Sequence, residues 1–152
     1  MSSPLDLVLE RVVDVSPDKV WAAWTEPKHI VNWFTPKPWR TIAAEVDLRP
    51  GGKFNSTFKS PDGQVMQNYG CFLEIVPGRK LVFTDCLHEG FRPSGQAFMT
   101  AIVEIIPEGR GTRYRATAMH STEADVKKHL EMGFVNGWGT ALDQLVAYMK
   151  TV

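Results

Sequence analysis

Residues 132–149, MGFVNGWGTALDQLVAYM, have the apolar spacing of an amphipathic helix, and yet they contain three glycines. Each glycine inside a helix costs about 1 kcal/mol relative to alanine. The capping residues Ser121 and Thr122 and the acidic turn after them predict that one long helix runs from there to the end of the stretch. Its apolar residues share one arc: Val126, Leu130, Phe134, Gly137, Ala141, Leu145 and Tyr148. That arc has to be covered by another apolar surface.

The glycines of this predicted helix have two interpretations. Gly133 and Gly137 either permit close packing of the helix against strand backbone, or they leave room for a ligand. Gly139 points to another side of the helix, and the sequence assigns no role to it.

The rest of the chain supplies the covering surface. Leu5 to Val13 alternates in the manner of a strand, and two short helices are predicted to start at Ser16-Pro17 and at Glu26-Pro27. From 39 to 120 the apolar pattern has a period of two, which predicts six further strands. One of them runs over 65–75, with Val65 and Tyr69 on its apolar face. The turns between the strands lie at 50–52, 62–63, 77–78 and 109–110.

Strand registers follow from the lengths of the turns. A two-residue loop at 109–110 pairs Ile105 with Tyr114 and Met99 with His120, which places His120 on the core face. The loop at 77–78 leaves two alternatives. A two-residue loop puts Thr84 on the core face, and a three-residue loop puts Phe83 and Asp85 there. We favour the three-residue loop because it buries more apolar surface.

Length and composition place the chain in a broad class. We predict a single domain over residues 1–152, since 152 residues fit one domain. Seventeen basic and seventeen acidic residues cancel, so nucleic acid is not an expected partner. Membrane insertion is not expected either, because no apolar run approaches the roughly 20 residues that a membrane span needs. The start MSSPLDLVLE lacks the pattern of a signal peptide, and two cysteines suit reduced thiols, so we expect a cytoplasmic location.

The predicted fold class is α+β, with a curved antiparallel sheet wrapped around the C-terminal helix and two short helices after the first strand. Consecutive hairpins form antiparallel sheets, and one apolar helix must cover such a sheet. A strongly twisted sheet contacts a helix best at the middle of the helix. We therefore expect a gap between sheet and helix toward one end.

Several stretches resemble the heat-shock-protein-90 ATPase activator homologue family, which belongs to the START-like, or SRPBCC, superfamily. They are SPDKVWAAWTEPKHIVNWF, RPGGKF, FLEIVPGRKLVFTD and GWGTALDQLVAYM. The resemblance covers about Leu7 to Met149. It implies a helix-grip fold with a deep hydrophobic cavity. Members of the superfamily differ in role, from lipid and polyketide binding to cyclisation and co-chaperone action, and no catalytic motif can be matched residue by residue.

Three residues are candidates for acid–base chemistry. His120, at the end of the last strand, is predicted to lie in the cavity, with His129 nearby and Asp85 on an adjoining face. Such a set could serve enolisation, cyclisation or hydrolysis. The alternatives are a hydrogen-bonded histidine at the cavity rim and an Asp85 that faces solvent.

The candidate ligand-binding residues are mostly aromatic, since rings with a polar edge suit flat lipophilic molecules. Trp33, Phe34 and Trp39 are expected to frame an opening, although Trp33 and Phe34 could equally be core residues, and we assign Trp24 to the core. The loop from His88 to Gln96 is either a mobile flap or a plain connection. The full predicted set is Trp33, Phe34, Phe58, Tyr69, Phe83, Met99, Gly133 and Gly137.

The leading functional hypothesis is a monomer or homodimer that binds a small lipophilic or aromatic molecule between sheet and helix. A cyclase or hydrolase using His120 is the second hypothesis, and a regulatory partner of a chaperone is the third. No cofactor is expected. We predict no metal site, because Cys86, His88, His120 and His129 lack a recognised ligand spacing.

Overall fold

The computed structural model describes residues 3–152 and has the predicted α+β class. Among these residues, no helix is long and apolar enough to span a bilayer. The strands and helices, in chain order, are β1 Asp6–Val13, α1 Pro17–Thr25, α2 Pro27–Ile30, β2 Arg40–Val46, β3 Phe54–Lys59, β4 Val65–Asn68, β5 Cys71–Val76, β6 Lys80–Thr84, β7 Leu87–His88, β8 Arg92–Pro93, β9 Thr100–Glu108, β10 Gly111–Met119, α3 Glu123–Glu131 and α4 Phe134–Met149.

The large curved sheet has two antiparallel parts that meet at β3 and β5. One part has the strand order β1-β10-β9-β6-β5, and the other has the order β2-β3-β4. Lys53 bridges to Cys71, and the Phe54 amide donates to the Gly70 carbonyl over 2.9 Å, which links the two parts. Because Gly70 lacks a Cβ, the carbonyl of Phe54 can pass close to its backbone. The linked sheet can therefore curve around the helices.

Both favoured strand registers are confirmed. Ile105 pairs with Tyr114 across the hairpin of β9 and β10. Val76 pairs with Lys80, so the turn between β5 and β6 has three residues, and Phe83 is buried as expected. The period-two pattern fixes the pairing next to each turn, since only one register there buries the apolar side chains. Further along the β5–β6 pair the register shifts between Phe72 and Glu74, which the pattern did not predict.

One expectation about the strands is wrong, and one open alternative is decided. The predicted strand over 65–75 is interrupted after Asn68, and both Val65 and Tyr69 are exposed. The loop from His88 to Gln96 begins with a short hairpin of β7 and β8, and its Gly90 amide donates to the Gly51 carbonyl. This loop therefore packs on the turn between β2 and β3 as a connection.

The predicted continuous C-terminal helix is also wrong, because it is divided into α3 and α4 at Gly133. The backbone of Gly133 has φ +90°, a left-handed conformation that ends one helix before the next begins. Thr122 caps α3 as expected, accepting from the Asp125 amide. The apolar periodicity continues across the break, which is why the sequence pattern did not reveal it.

Helix α4 covers the sheet with one buried face, on which Leu142, Leu145 and Met149 pack into the core. Gly139 lies on the side that faces β1. A Cβ there would collide with the guanidinium of Arg11, which forms a 2.8 Å ion pair with Asp143. The absence of a side chain at Gly139 thus leaves room for the Arg11 side chain to reach Asp143.

Two alanine substitutions in this segment should change stability in opposite directions. Gly133→Ala should lower the free energy of unfolding by about 1–2 kcal/mol, because alanine is strained in the left-handed region. Gly137→Ala should raise it by up to about 1 kcal/mol, because alanine favours the helix and no atom lies within 4 Å of its Cβ position. Urea unfolding of both variants measures the difference. Equal effects would contradict the assigned conformations.

Candidate ligand cavity

A cavity of about 430 Å³ lies between the sheet and the first half of α4. All eight residues of the predicted ligand-binding set line it: Trp33, Phe34, Phe58, Tyr69, Phe83, Met99, Gly133 and Gly137. That these residues contact a ligand stays a prediction.

The cavity wall is built from aromatic rings that pack against each other. Phe34 makes edge contacts with Trp24 at 5.7 Å and with Phe54 at 5.8 Å between ring centres. On the helix side, Phe134 and Trp138 lie 4.9 Å apart. Such mutual contacts hold each ring in place, so the shape of the wall is largely preformed.

The rim formed by the segment between α2 and β2 is fastened to α4 by one side chain. The amide nitrogen of Gln144 donates to the carbonyls of Trp33 at 2.9 Å and Thr35 at 2.8 Å. The Lys37 backbone amide donates in return to Oε1 of Gln144 at 3.0 Å. Trp39 does not line the cavity, contrary to expectation, and is more than one-third exposed.

The space beside Gly137 is consistent with the room-for-a-ligand interpretation. Outside the adjacent residues and the backbone of its own helix, a Cβ on Gly137 would meet no described atom within 4 Å, so close packing against strand backbone is not the reason for this glycine. Gly133 also has open space at its Cβ position, but its positive φ is by itself a sufficient reason for a glycine there. Met132, between the two helices, lines the cavity and is 66% exposed, so the cavity wall reaches the surface there.

The two candidate histidines form a hydrogen-bonded pair. His120 Nε2 lies 2.9 Å from His129 Nδ1, and His120 Nδ1 lies 2.9 Å from the carbonyl oxygen of Leu5. His129 lines the cavity, whereas His120 lies behind it and does not, which corrects the expectation for His120. Both side chains are buried.

This pair fixes the positions of the protons when both rings are neutral. The Leu5 carbonyl can only accept, so Nδ1 of His120 carries a hydrogen and Nε2 is an acceptor. His129 must then donate from its own Nδ1, and its Nε2 keeps a free lone pair. Nε2 of His129 has no hydrogen-bond partner among the described residues, and a molecule of the size of water can reach it.

Burial lowers the pKa of His129 to about 4, with His120 adding to the decrease and Asp85 opposing it. At neutral pH, His129 is therefore an uncharged hydrogen-bond acceptor. The low pKa also makes it a weak base.

Asp85 lines the cavity but is not hydrogen-bonded to either histidine. Its Oδ1 accepts from the backbone amides of Phe98 at 3.3 Å and Met99 at 3.2 Å. These bonds hold the start of β9 beside the end of β6. The Asp85 side chain is half-buried, so it faces both the cavity and the solvent, whereas the sequence left these as two alternatives.

Tyr114 is a polar cavity residue that sequence reasoning did not single out. Its side chain is 3% exposed and lines the cavity. Burial raises its pKa well above the ordinary value, and the nearby indole N–H of Trp24 opposes that rise. Trp24 itself is buried as predicted, but within residues 3–152 its Nε1 has no acceptor in hydrogen-bonding geometry. The alternation of β10 puts Tyr114 on the core face, and this was the available signal.

Within residues 3–152, no three His, Cys, Asp or Glu side chains converge as a metal site would require. Cys71 and Cys86 are both free thiols.

A curved antiparallel sheet that closes over a C-terminal helix, with an aromatic cavity between them, defines a helix-grip protein. Residues 14–150 match the family described as "Activator of Hsp90 ATPase homolog 1-like protein". The chain belongs to this family, which confirms the predicted resemblance. A search of curated proteins gave no match.

Solved structures of similar proteins have the same fold. A Nitrosomonas europaea protein is 43% identical, with 99% of this chain and 97% of that chain aligned and a TM-score of 0.95. An AHSA1-like protein from Aeromonas hydrophila is 22% identical, covers 96% and 92% of the two chains and has a TM-score of 0.71. An AHSA1 protein from Silicibacter pomeroyi is 20% identical, with coverages of 96% and 98% and a TM-score of 0.72.

Proposed function

We propose that the protein binds a small, flat, uncharged lipophilic molecule in the cavity between the sheet and α4. The observation that carries the proposal is the open space beside Gly137, enclosed by preformed aromatic walls. A volume of about 430 Å³ lies in the range of small-molecule sites, roughly 300–1,000 Å³. Aromatic walls favour flat ligands because rings can stack or meet edge to face.

The charge of the lining argues for a neutral ligand. Among the described lining residues, Asp85 is the only one of the types Asp, Glu, Lys and Arg, and His129 is uncharged at neutral pH. No lysine or arginine stands among the lining residues that the structure describes, so a carboxylate or phosphate would be buried without a partner, which is costly. We therefore expect neutral aromatic compounds to bind better than fatty acids or anionic lipids.

The test is a binding screen with neutral aromatic ketones, flavones, sterols and fatty acids, read by thermal shift and then by calorimetry. A ligand that binds only the folded state raises the melting temperature, and the stabilisation grows with the logarithm of the free ligand concentration once this exceeds Kd. Gly137→Leu should weaken the best ligand at least about tenfold, because its side chain occupies part of the cavity. Asn136→Leu is the matched control, since it adds the same side chain at an exposed neighbouring position. Equal affinities of both variants, or no ligand among the neutral aromatics, would contradict the proposal.

Acid–base catalysis on the bound molecule is the second candidate function. It is favoured by the free Nε2 of His129, which His120 holds in one tautomer. The low pKa of His129 argues for binding first, since a weak base removes protons only from acidic substrates. A His129→Gln variant that keeps affinity and loses turnover would support catalysis. Unchanged turnover would exclude His129 as the base.

A further inference from the structure

Several polar side chains line the cavity, and two of them are buried and keep one polar atom without a hydrogen-bond partner among the described residues. These atoms are Nε2 of His129, backed by His120, and the hydroxyl of Tyr114, beside Trp24. Both side chains are more than nine-tenths buried. Buried polar groups normally have partners, so groups that open into a cavity without one indicate what a ligand has to supply.

His129 supplies an acceptor. The chain of hydrogen bonds from Leu5 through His120 places the only ring proton of neutral His129 on Nδ1. Reversing the direction would require a charged His120, or it would set the lone pair of His120 Nδ1 against the Leu5 carbonyl oxygen at 2.9 Å. Nε2 of His129 therefore accepts a hydrogen bond and cannot donate one at neutral pH.

Tyr114 supplies a donor. Its hydroxyl makes no hydrogen bond with a described residue and is not sealed by protein atoms. The neighbouring Trp24 indole can only donate, so it does not compete for the hydroxyl hydrogen. The O–H is then free to point into the cavity. Burial keeps the hydroxyl protonated, so it remains a donor over the physiological range.

We propose that the cavity selects aromatic molecules that carry both a hydroxyl group and a carbonyl group, with the hydroxyl donating to His129 and the carbonyl accepting from Tyr114. This inference rests on the proposed binding function and specifies its ligand class. A phenol or enol with a ring ketone carries both of the groups that this arrangement requires. A hydrocarbon of the same shape would leave both groups without partners in the filled cavity, and each such loss costs about 1–3 kcal/mol.

The experiment compares monohydroxyflavones with their methyl ethers and with unsubstituted flavone by calorimetry at neutral pH. The isomers place the hydroxyl at different distances from the carbonyl, so the series samples the separation between the two protein groups. At least one isomer should bind wild type roughly tenfold tighter than its ether and than flavone. The ether lacks the donor and adds a methyl group, whereas flavone lacks only the hydroxyl. The two comparisons therefore separate the effect of losing the donor from the effect of the added methyl group.

Variants assign the two contacts. In His129→Phe the preference for hydroxyl over ether should disappear, because the acceptor is gone while the ring remains. In Tyr114→Phe all members should weaken several-fold, and the hydroxyl preference should persist. Thr117→Val is the matched control, since it removes a hydroxyl from the opposite face of the same strand and should leave the affinities within twofold of wild type.

A spectroscopic measurement on wild type does not depend on the folding of any variant. In a ¹⁵N–¹H spectrum of the imidazoles, His129 should show a hydrogen on Nδ1, and its Nε2 signal should shift with the hydroxyflavone and not with the ether. A hydrogen on Nε2 would overturn the inference. Equal binding of hydroxyl, ether and parent compounds would also overturn it while leaving the proposed function intact. Failure of every flavone, with other neutral aromatics binding, would reject the ligand class alone.

Discussion

Acidification from pH 7 to pH 4 should lower the free energy of unfolding by about 3 kcal/mol through His129. In the folded state the pKa of His129 is about 4, mainly because of burial, whereas the unfolded value is near 6.5. Above pH 6.5 both states are neutral and stability is complete. As the pH falls from 6.5 toward 4, the unfolded chain takes up a proton that folded His129 refuses. Below the folded pKa of about 4, both states bind the proton, so His129 lowers the free energy of unfolding no further.

Urea unfolding at a series of pH values measures this dependence. His129→Gln keeps an amide donor toward His120 but cannot titrate, so it should remove most of the slope between pH 6.5 and 4. The comparison is made at each pH between variant and wild type, which cancels the contributions of the other titrating groups. Identical slopes for the two proteins would show that His129 is not held neutral by burial.

Replacing two phenylalanines should separate the packed core from the cavity. Phe72 is fully buried and stacks on Phe54 at 5.0 Å, so Phe72→Ala should cost about 3–5 kcal/mol of stability. Phe58 is only half-buried and lines the cavity, so Phe58→Ala should cost about 1 kcal/mol. Phe72→Ala leaves a void inside the packed core, whereas Phe58→Ala only enlarges the existing cavity.

Ligand affinity should follow the opposite order. Phe58→Ala removes a wall of the binding site, whereas Phe72 does not line the cavity. Chemical unfolding and calorimetry on the same samples give both quantities. A large stability loss from Phe58→Ala, with unchanged affinity, would indicate that Phe58 belongs to the packed core.

Sequence patterns were most informative where only one arrangement buries the apolar side chains. The hairpin of β9 and β10 has such a register, and the same rule applied to the β5–β6 turn placed Phe83 at the cavity. The position of His129 near His120 also followed, since the end of β10 leads directly into α3. Together these elements determine which side of the sheet faces the cavity.

Features that depend on distant contacts could not be read from the sequence. Gln144 fastens the cavity rim through partners more than 100 positions away, and Gly139 is required by Arg11 on β1. The break at Gly133 was hidden by apolar spacing that continues across it. The effect of Trp24 on the pKa of Tyr114 likewise joins two different elements.

Methionine methyl groups offer the most direct test that a ligand enters this cavity. Met99 and Met132 line it, whereas Met66 lies exposed on β4 and Met149 is packed at the end of α4. In protein labelled with ¹³C at the methionine methyls, a bound neutral aromatic should give nuclear Overhauser contacts to Met99 and Met132. It should give none to Met66 or Met149. Contacts confined to Met66 or Met149 would place the ligand elsewhere and contradict the central claim.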